Sequence, residues 1–375
     1  MTDFSARARA ALEVRGMSMR SAARELKYDV GYLSRTLNGK QQPSPQLAAA
    51  LDQLLEANGE LIAAAEKPTT VLSEEPPGVE GEIAHMRDTV RYFVAHDGRY
   101  GGDEIAPAAV RVWKTGQRQL DNGVIPEQHQ RDYLVTVAEV AELAGWLLFD
   151  ANRHDACRAA TLEAHMLARH AGDRSMERFA LTNLAMMDLE AGRPGESLRI
   201  ADELLDQPRI PPRVALLARI RKGRALARAD DRRRSLAELD AARGAMAESI
   251  RTRDPAWTWW VNECELSGHE GEALLRLGDA GAALPKLQRA AELAAAVRPN
   301  GRGALYYRVS LVMAYTAVQA WRDCEAELAS IPPMFDVVSS GRNRRRLRSA
   351  LSGITHHPNA PLWLSDLARE VRYVA

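Results

Sequence analysis

The sequence predicts an all-α protein, one compact N-terminal helical module followed by an array of stacked helical hairpins, on three observations. No sustained run alternates apolar and polar residues with period two, and Leu and Ala dominate an apolar set making up 46% of the chain, while Phe, Tyr and Trp total only 6%. At 375 residues the chain is too long for one ordinary core. Beyond residue 140, four windows repeat one spacing of small and turn-forming residues.

The first helix is expected over 5–14, with Ala8, Ala11 and Leu12 inward and Gly16 ending it. Ser18 can cap a second helix over 19–26, because its hydroxyl accepts from an otherwise unpaired N–H of the first turn. Asp29 caps a third that runs to Asn38, where Gly39 lets the chain turn away. Two helices crossing through so short a turn need a small side chain where they meet, and Ala23 supplies it against Leu33. Leu33 and Leu37, four apart, pack inward, so Val30, Gly31, Ser34, Arg35 and Asn38 fall on the opposite face. Charge is even overall, 50 basic against 50 acidic residues, yet residues 5–45 hold eight Arg or Lys against three acids, and residues 46–82 one Lys against eight. A basic face beside an acidic hinge is the expectation.

Residues 5–65 resemble the helix-turn-helix of the lambda-repressor and Cro-like, or xenobiotic-response-element, regulators. "AARELKYDVGYLSRTLNGK" is similar to that family's second and third helices and "PSPQLAAALDQLLEA" to its fourth. The resemblance implies double-stranded operator DNA as partner, with Val30, Gly31, Ser34 and Arg35 at base-facing positions and Asn38, Gly39 and Lys40 in the turn that grips phosphate. Val30 and Gly31 depart from the family's frequent polar pair, which implies either weak base reading there or apolar contact with thymine methyls. Arg35 can pair bidentately with guanine, worth about 1–3 kcal/mol of discrimination, and is the leading specificity residue. Lys40 and Arg20 suit sequence-blind phosphate contact. Tyr32 either reaches phosphate or supports the helix surface.

Residues 67–82, rich in Pro, Gly and acids, read as a linker between a domain at 1–66 and a helical domain at 83–375. Helices are expected around Ile83, over 107–120 and over 127–149. The windows "GWLLFDANRHDAC", "AMMDLEAGRPGES", "GRALARADDRRRS" and "GEALLRLGDAGAA" begin at Gly145, Ala185, Gly223 and Gly271 and end at Cys157, Ser197, Ser235 and Ala283, all small. Between them stand Asn152, Gly192, Asp230 and Gly278, each where a helix should stop. Small residues at matched points let two antiparallel helices approach closely, and stacking such pairs builds a shared core. The windows resemble tetratricopeptide repeats over about 128–331, with longer and less regular spacing than that family shows.

By that resemblance the first helix of each pair lines an inner face, carrying Glu142, Trp146 and Asp150, then Asn183 and Met186, Arg224 and Arg228, and Glu272 and Arg276. Asn183 can pair with both groups of a bound peptide backbone. Each of these is alternatively a solvated or ion-paired helix residue. Two aromatic groups, Trp257, Trp259 and Trp260 and then Tyr306 and Tyr307, suit either a ligand pocket or core packing, and Trp260 and Tyr306 join the candidate ligand residues. Five arginines between Arg342 and Arg348 suit DNA contact, helix ion pairs or a solvated face.

Cys157, Cys264 and Cys324 are far apart in apolar settings, the pattern of buried thiols in a reducing cytoplasm, and no signal-peptide core or long apolar run is present. The histidines show no metal spacing and no phosphate loop occurs, so neither an enzyme nor a cofactor is expected. Taken together, the chain resembles Cro-like regulators with tetratricopeptide domains, including actinobacterial members and bacterial peptide-pheromone receptors. That resemblance implies a peptide or small-molecule effector and a homodimer placing two heads on DNA half-sites. A protein-interaction adaptor and a nonspecific DNA binder are the competing readings.

Overall fold

The computed structural model describes residues 3–26, 28–39, 41, 43–55, 57, 59–65, 78–249 and 254–373. It is built of helices, with no strand among the described residues, and divides into two compact units, Met1–Pro77 and Gly78–Ala375.

The N-terminal unit contains α1 (Asp3–Val14), α2 (Met19–Glu25), α3 (Val30–Leu37), α4 (Pro45–Leu54) and α5 (Glu60–Ala65). Its core joins Phe4, Ala8, Leu12, Ala22, Ala23 and Leu33 with Leu47, Leu51 and Leu61. The caps are where the sequence places them: Ser18 accepts from Ser21 N–H at 3.2 Å and Asp29 from Tyr32 N–H at 2.8 Å. Gly16 and Gly39 take positive φ at the helix ends. Asp52 is a cap the sequence does not announce, its buried carboxylate accepting from Gly59 and Leu61 N–H at 2.8 and 2.9 Å to start α5.

The second unit opens with α6 (Val79–Tyr100) and α7 (Ala106–Asp121), both packed on α8 (Glu127–Asp150). The expected linker at 67–82 is therefore corrected at its end. Residues 67–77 lie outside the described residues, and α6 begins at Val79 because Glu80 and Glu82 sit in its first turn, where a helix favours negative charge. Antiparallel pairs follow: α8 with α9 (His154–His170), α10 (Arg174–Glu190) with α11 (Pro194–Leu205), α12 (Pro212–Arg228) with α13 (Arg232–Ala245), α14 (Glu263–Arg276) with α15 (Ala280–Val297), and α16 (Arg302–Ala317) with α17 (Trp321–Ala329). After a single turn, α18 (Pro332–Phe335), a last pair of α19 (Gly341–Thr355) and α20 (Leu362–Val371) ends the unit. Hairpin stacking thus runs on to Val371, past the expected limit of 331.

Each repeated window is a hairpin. Asn152, Gly192, Asp230 and Gly278 all take positive φ, between 59° and 82°. The residue after each donates back over the turn, Arg153 to Leu148 O at 2.8 Å and Arg193 to Asp188 O at 2.8 Å, with Asp231 and Asp279 alike, which satisfies carbonyls the helix end leaves open. The small pairs are the closest approaches: Ser235 Oγ donates to Gly223 O at 2.8 Å, and a Cβ on Gly271 would stand 2.6 Å from Leu287 Cγ and 3.2 Å from Ala283 O.

The inner helices α8, α10, α12, α14 and α16 are far more buried than their outer partners; with α19 they contact one another in sequence, and α19 also meets α8. The unit therefore closes on itself. Ser339 N–H donates to Tyr100 O at 2.7 Å and Asp103 N–H to Ser339 O at 3.2 Å, joining the α6–α7 loop to the entry of α19. Gly101 makes that possible: it has φ +86° and a Cβ there would lie 2.3 Å from Ser339 O. Among the described residues no helix is long and apolar enough to cross a membrane.

Candidate functional site

In the N-terminal unit, α3 is clamped at both ends. Beyond the Asp29 cap, Arg9 of α1 donates Nε to Leu37 O at 2.7 Å and Nη2 to Asn38 Oδ1 at 2.5 Å, setting a cation on the helix C-terminus. Asn38 in turn donates to Ser34 O at 2.8 Å. With Leu33 and Leu37 buried beneath, the opposite face presents Val30, 41% exposed, together with exposed Arg35 and Asn38 and half-buried Gly31 and Ser34. Arg20 is exposed on α2. A Cβ on Gly31 would meet Asp29 Oδ1 at 3.0 Å and Arg35 Nη1 at 3.3 Å, so the bare position lets the capping carboxylate and the guanidinium converge. Arg35 Nε donates to Gln41 Oε1 at 3.1 Å. Of the two readings of Tyr32, the geometry carries the supporting one, since its hydroxyl accepts from Ser44 N–H at 3.1 Å, tying α3 to the cap of α4, and its ring stacks on Tyr28. Lys40 lies outside the described residues. Arg9 escaped the sequence reading because nothing local marks an α1 arginine as the partner of a helix end 28 residues away.

In the second unit the inner face is a filled wall. Glu142, Asn183, Met186, Glu272 and Tyr306 are buried there, with Trp146 and Arg224 half-buried. Asn183 donates its amide to Glu142, whose carboxyl burial nevertheless pushes up to about 7. Arg228 and Arg276 stand apart, exposed near the hairpin turns, Arg276 reaching Asp230 at 3.5 Å. Trp260 also stands apart: it packs with the core of Leu216, Leu217, Ile220 and Leu266, while Trp257 stacks on Phe179 with ring centroids 4.6 Å apart.

What fills the wall is the arginine run of α19. Arg342 donates Nε to Glu190 Oε2 at 3.2 Å, Arg345 reaches the same oxygen at 3.2 Å, and Arg346 donates to Glu272 Oε1 at 2.7 Å and Ser310 Oγ at 2.8 Å. Arg224 pairs with Glu272 as well. The Tyr306 ring lies under Arg346 at 4.1 Å and Arg342 at 4.6 Å, and its hydroxyl donates to Glu272 at 2.6 Å. Burial alone would raise the Glu190 carboxyl, but Arg342 outweighs it and holds it down at about 2; Arg224 and Arg346 likewise keep Glu272 well below the carboxylate range despite burial.

His269 sits between Arg221 and Arg224. Burial lowers its pKa against the pull of Glu265, so the ring is neutral near pH 7. A neutral ring has one acceptor nitrogen, yet Nδ1 stands 2.6 Å from Arg224 Nη1, and Nε2 stands 2.6 Å from Arg221 Nη1 and 2.8 Å from Glu265 Oε1. Arg221, only 1% exposed, adds longer contacts to Glu265 Oε1 at 3.3 Å and Thr182 O at 3.4 Å. A small cavity of about 10 Å³ remains, lined by Met186, Leu189, Glu190, Arg221, Arg224 and His269. The closure of the unit is charged too: Asp97 accepts from Trp146 Nε1 at 3.0 Å and from Arg302 Nε at 3.2 Å. Asp150 accepts from Gly102 N–H at 2.9 Å and Ser340 Oγ at 3.0 Å, burial lifting its carboxyl to about 6 against Arg302. Sequence reasoning missed Glu190, Arg221 and His269; of the three readings it left open for the α19 arginines, the structure gives ion pairs to Arg342, Arg344, Arg345 and Arg346. The available signal was a stripe at three- and four-residue steps, which continues past Met186 to Glu190 and reappears in Arg342 and Arg346.

A family profile described as a helix-turn-helix domain matches residues 3–65. The first unit, with the α2–α3 geometry above, is a helix-turn-helix domain of the DNA-binding type. No curated protein matches the chain.

Proposed function

We propose that the protein is a sequence-specific DNA-binding transcriptional regulator of the cytoplasm, without enzymatic activity, that acts as a homodimer and whose hairpin unit senses a peptide or small-molecule effector. The observation that carries the reading is α3: it is braced by Asp29, Arg9 and Tyr32, and it presents Val30 and Arg35 on the face a major groove receives. The effector half rests on the buried polar residues of the inner wall. Their dense packing favours a small effector over the adaptor reading, which needs a groove open to a protein segment.

The test is duplex binding on an operator and a scrambled sequence at several salt concentrations. Arg35→Ala should lose the preference for the operator and retain most nonspecific binding, whereas Lys40→Ala should weaken both duplexes alike and lower the salt slope by about one. Equal losses on both duplexes for Arg35→Ala would remove the base-reading role.

A further inference from the structure

Two carboxylates on the inner wall each carry two guanidiniums. Glu190 serves Arg342 and Arg345, and Glu272 serves Arg224 and Arg346. Next to them Arg221 has Glu265 as its counter-ion and His269 is neutral, so five arginines face three carboxylates. With Arg302, Asp97 and Asp150 of the adjoining closure counted, six arginines face five carboxylates, and one positive charge is in excess where the Arg342 side chain is only 7% exposed, Arg224 15% and Arg346 16%. Charge in excess at low dielectric is costly unless an anion joins it. Hydrogen bonding is incomplete as well: the buried Nε of Arg346 has no hydrogen-bond partner, and Arg221 and Arg224 each hold an Nη1 2.6 Å from a ring nitrogen of the same imidazole, which when neutral accepts only one of them.

From this juxtaposition we propose that the inner wall is a receptor for a small anionic molecule, whose carboxylate or phosphate group docks on Arg224 at the cavity and on Arg345 at its solvent side. This rests on the sensing role proposed above and names the chemical class of the effector. Arginine suits the task because its planar fork matches both groups bidentately. The cavity of about 10 Å³ holds at most one water, so uptake requires a side chain to swing aside. His269 lines that space, and Arg345, 40% exposed, is joined to it through Glu190, which lines it too. An incoming anion replaces the imidazole as a stronger acceptor for Arg224.

Inorganic phosphate and citrate, titrated into the full chain against chloride at equal ionic strength, test the site by thermal melting and calorimetry. The expected result is saturable stabilisation by phosphate or citrate beyond that of chloride, with the apparent Kd weakened about tenfold or more in Arg345→Ala and in Arg224→Gln. Arg199→Ala, on the outer helix α11 and 76% exposed, should respond as the wild type does. If Arg224→Gln fails to fold, Arg345→Ala decides alone, its side chain lying at the solvent edge. Phosphate and citrate acting no differently from chloride, or Arg345→Ala keeping the wild-type response, would overturn the proposal. The readout contains no DNA, so an anion that binds without changing operator affinity sinks the regulatory reading and leaves the site standing.

Discussion

Glu142 gives the most direct test of the filled inner wall. It is 4% exposed, its partner is the neutral amide of Asn183, and burial raises its carboxyl from 4.5 to about 7. A carboxyl raised in the folded state keeps its proton there while the unfolded chain has already released it. Its contribution is therefore fully present below 4.5 and is lost as pH rises through about 7. Glu142→Gln keeps an acceptor for Asn183 and removes the ionisation. Relative to the wild type, the variant should gain less than about 1 kcal/mol at pH 5 and about 3 kcal/mol at pH 8, or roughly 6 °C in Tm for a unit of this size. Asp150, lifted to about 6, titrates equally in both proteins and cancels in the difference; Glu190 and Glu265, held at about 2, lose their contribution only in acid below this range. Urea unfolding and thermal melts of both proteins at pH 5, 6, 7 and 8 supply the comparison. Parallel stability curves across that range would show that Glu142 is not held neutral by burial.

One residue type should act with opposite signs at two sites. Gly271→Ala drives a methyl against Leu287 and the Ala283 carbonyl and should cost about 1–3 kcal/mol, while Gly281→Ala in α15 meets nothing within 4 Å and should gain about 0.5–1 kcal/mol, both read by chemical denaturation. Arg9→Ala removes the cationic bonds from the end of α3 and should destabilise the first unit by about 1–2 kcal/mol. Unlike Arg35→Ala, it should weaken operator and scrambled duplex together, because it loosens the whole helix and touches no base; a selective loss of operator binding would contradict that bracing role.

The helices and their turns were legible because their determinants are local. A Ser or Asp cap, a Gly at positive φ and two small residues twelve apart each act within one hairpin, and all four repeated windows fold as that spacing requires. The fifth hairpin was illegible for the same reason. It turns at Gln319, φ 59°, and pairs Val312 with Cys324 at the matched points, so neither the turn residue nor the first small residue is there to see, although the backbone geometry is preserved. The inner wall was legible in part. Helical spacing places Glu142, Asn183, Arg224 and Glu272 on it, but Glu272 pairs with Arg346 and the unforeseen Glu190 with Arg342, and no local pattern announces pairings across 74 and 152 residues.

That long-range pairing changes what kind of object the hairpin unit is. In an open array each repeat touches only its neighbours and stability is close to a sum of nearest-neighbour terms. Here Arg302 joins Asp97 of α6 to the last hairpins, Ser340 joins Asp150 of α8 to α19, and Arg342 crosses from α19 to Glu190 of α10. The charges that close the unit are also the ones that fill its interior. Replacing one partner strands a buried charge on the other, so damage at α19 should be felt at α8 and α10, and the first and last hairpins are expected to unfold together. An anion seated among Arg224, Arg345 and Arg346 would act on those same bonds, because each of the three already shares Glu190 or Glu272 with the closure.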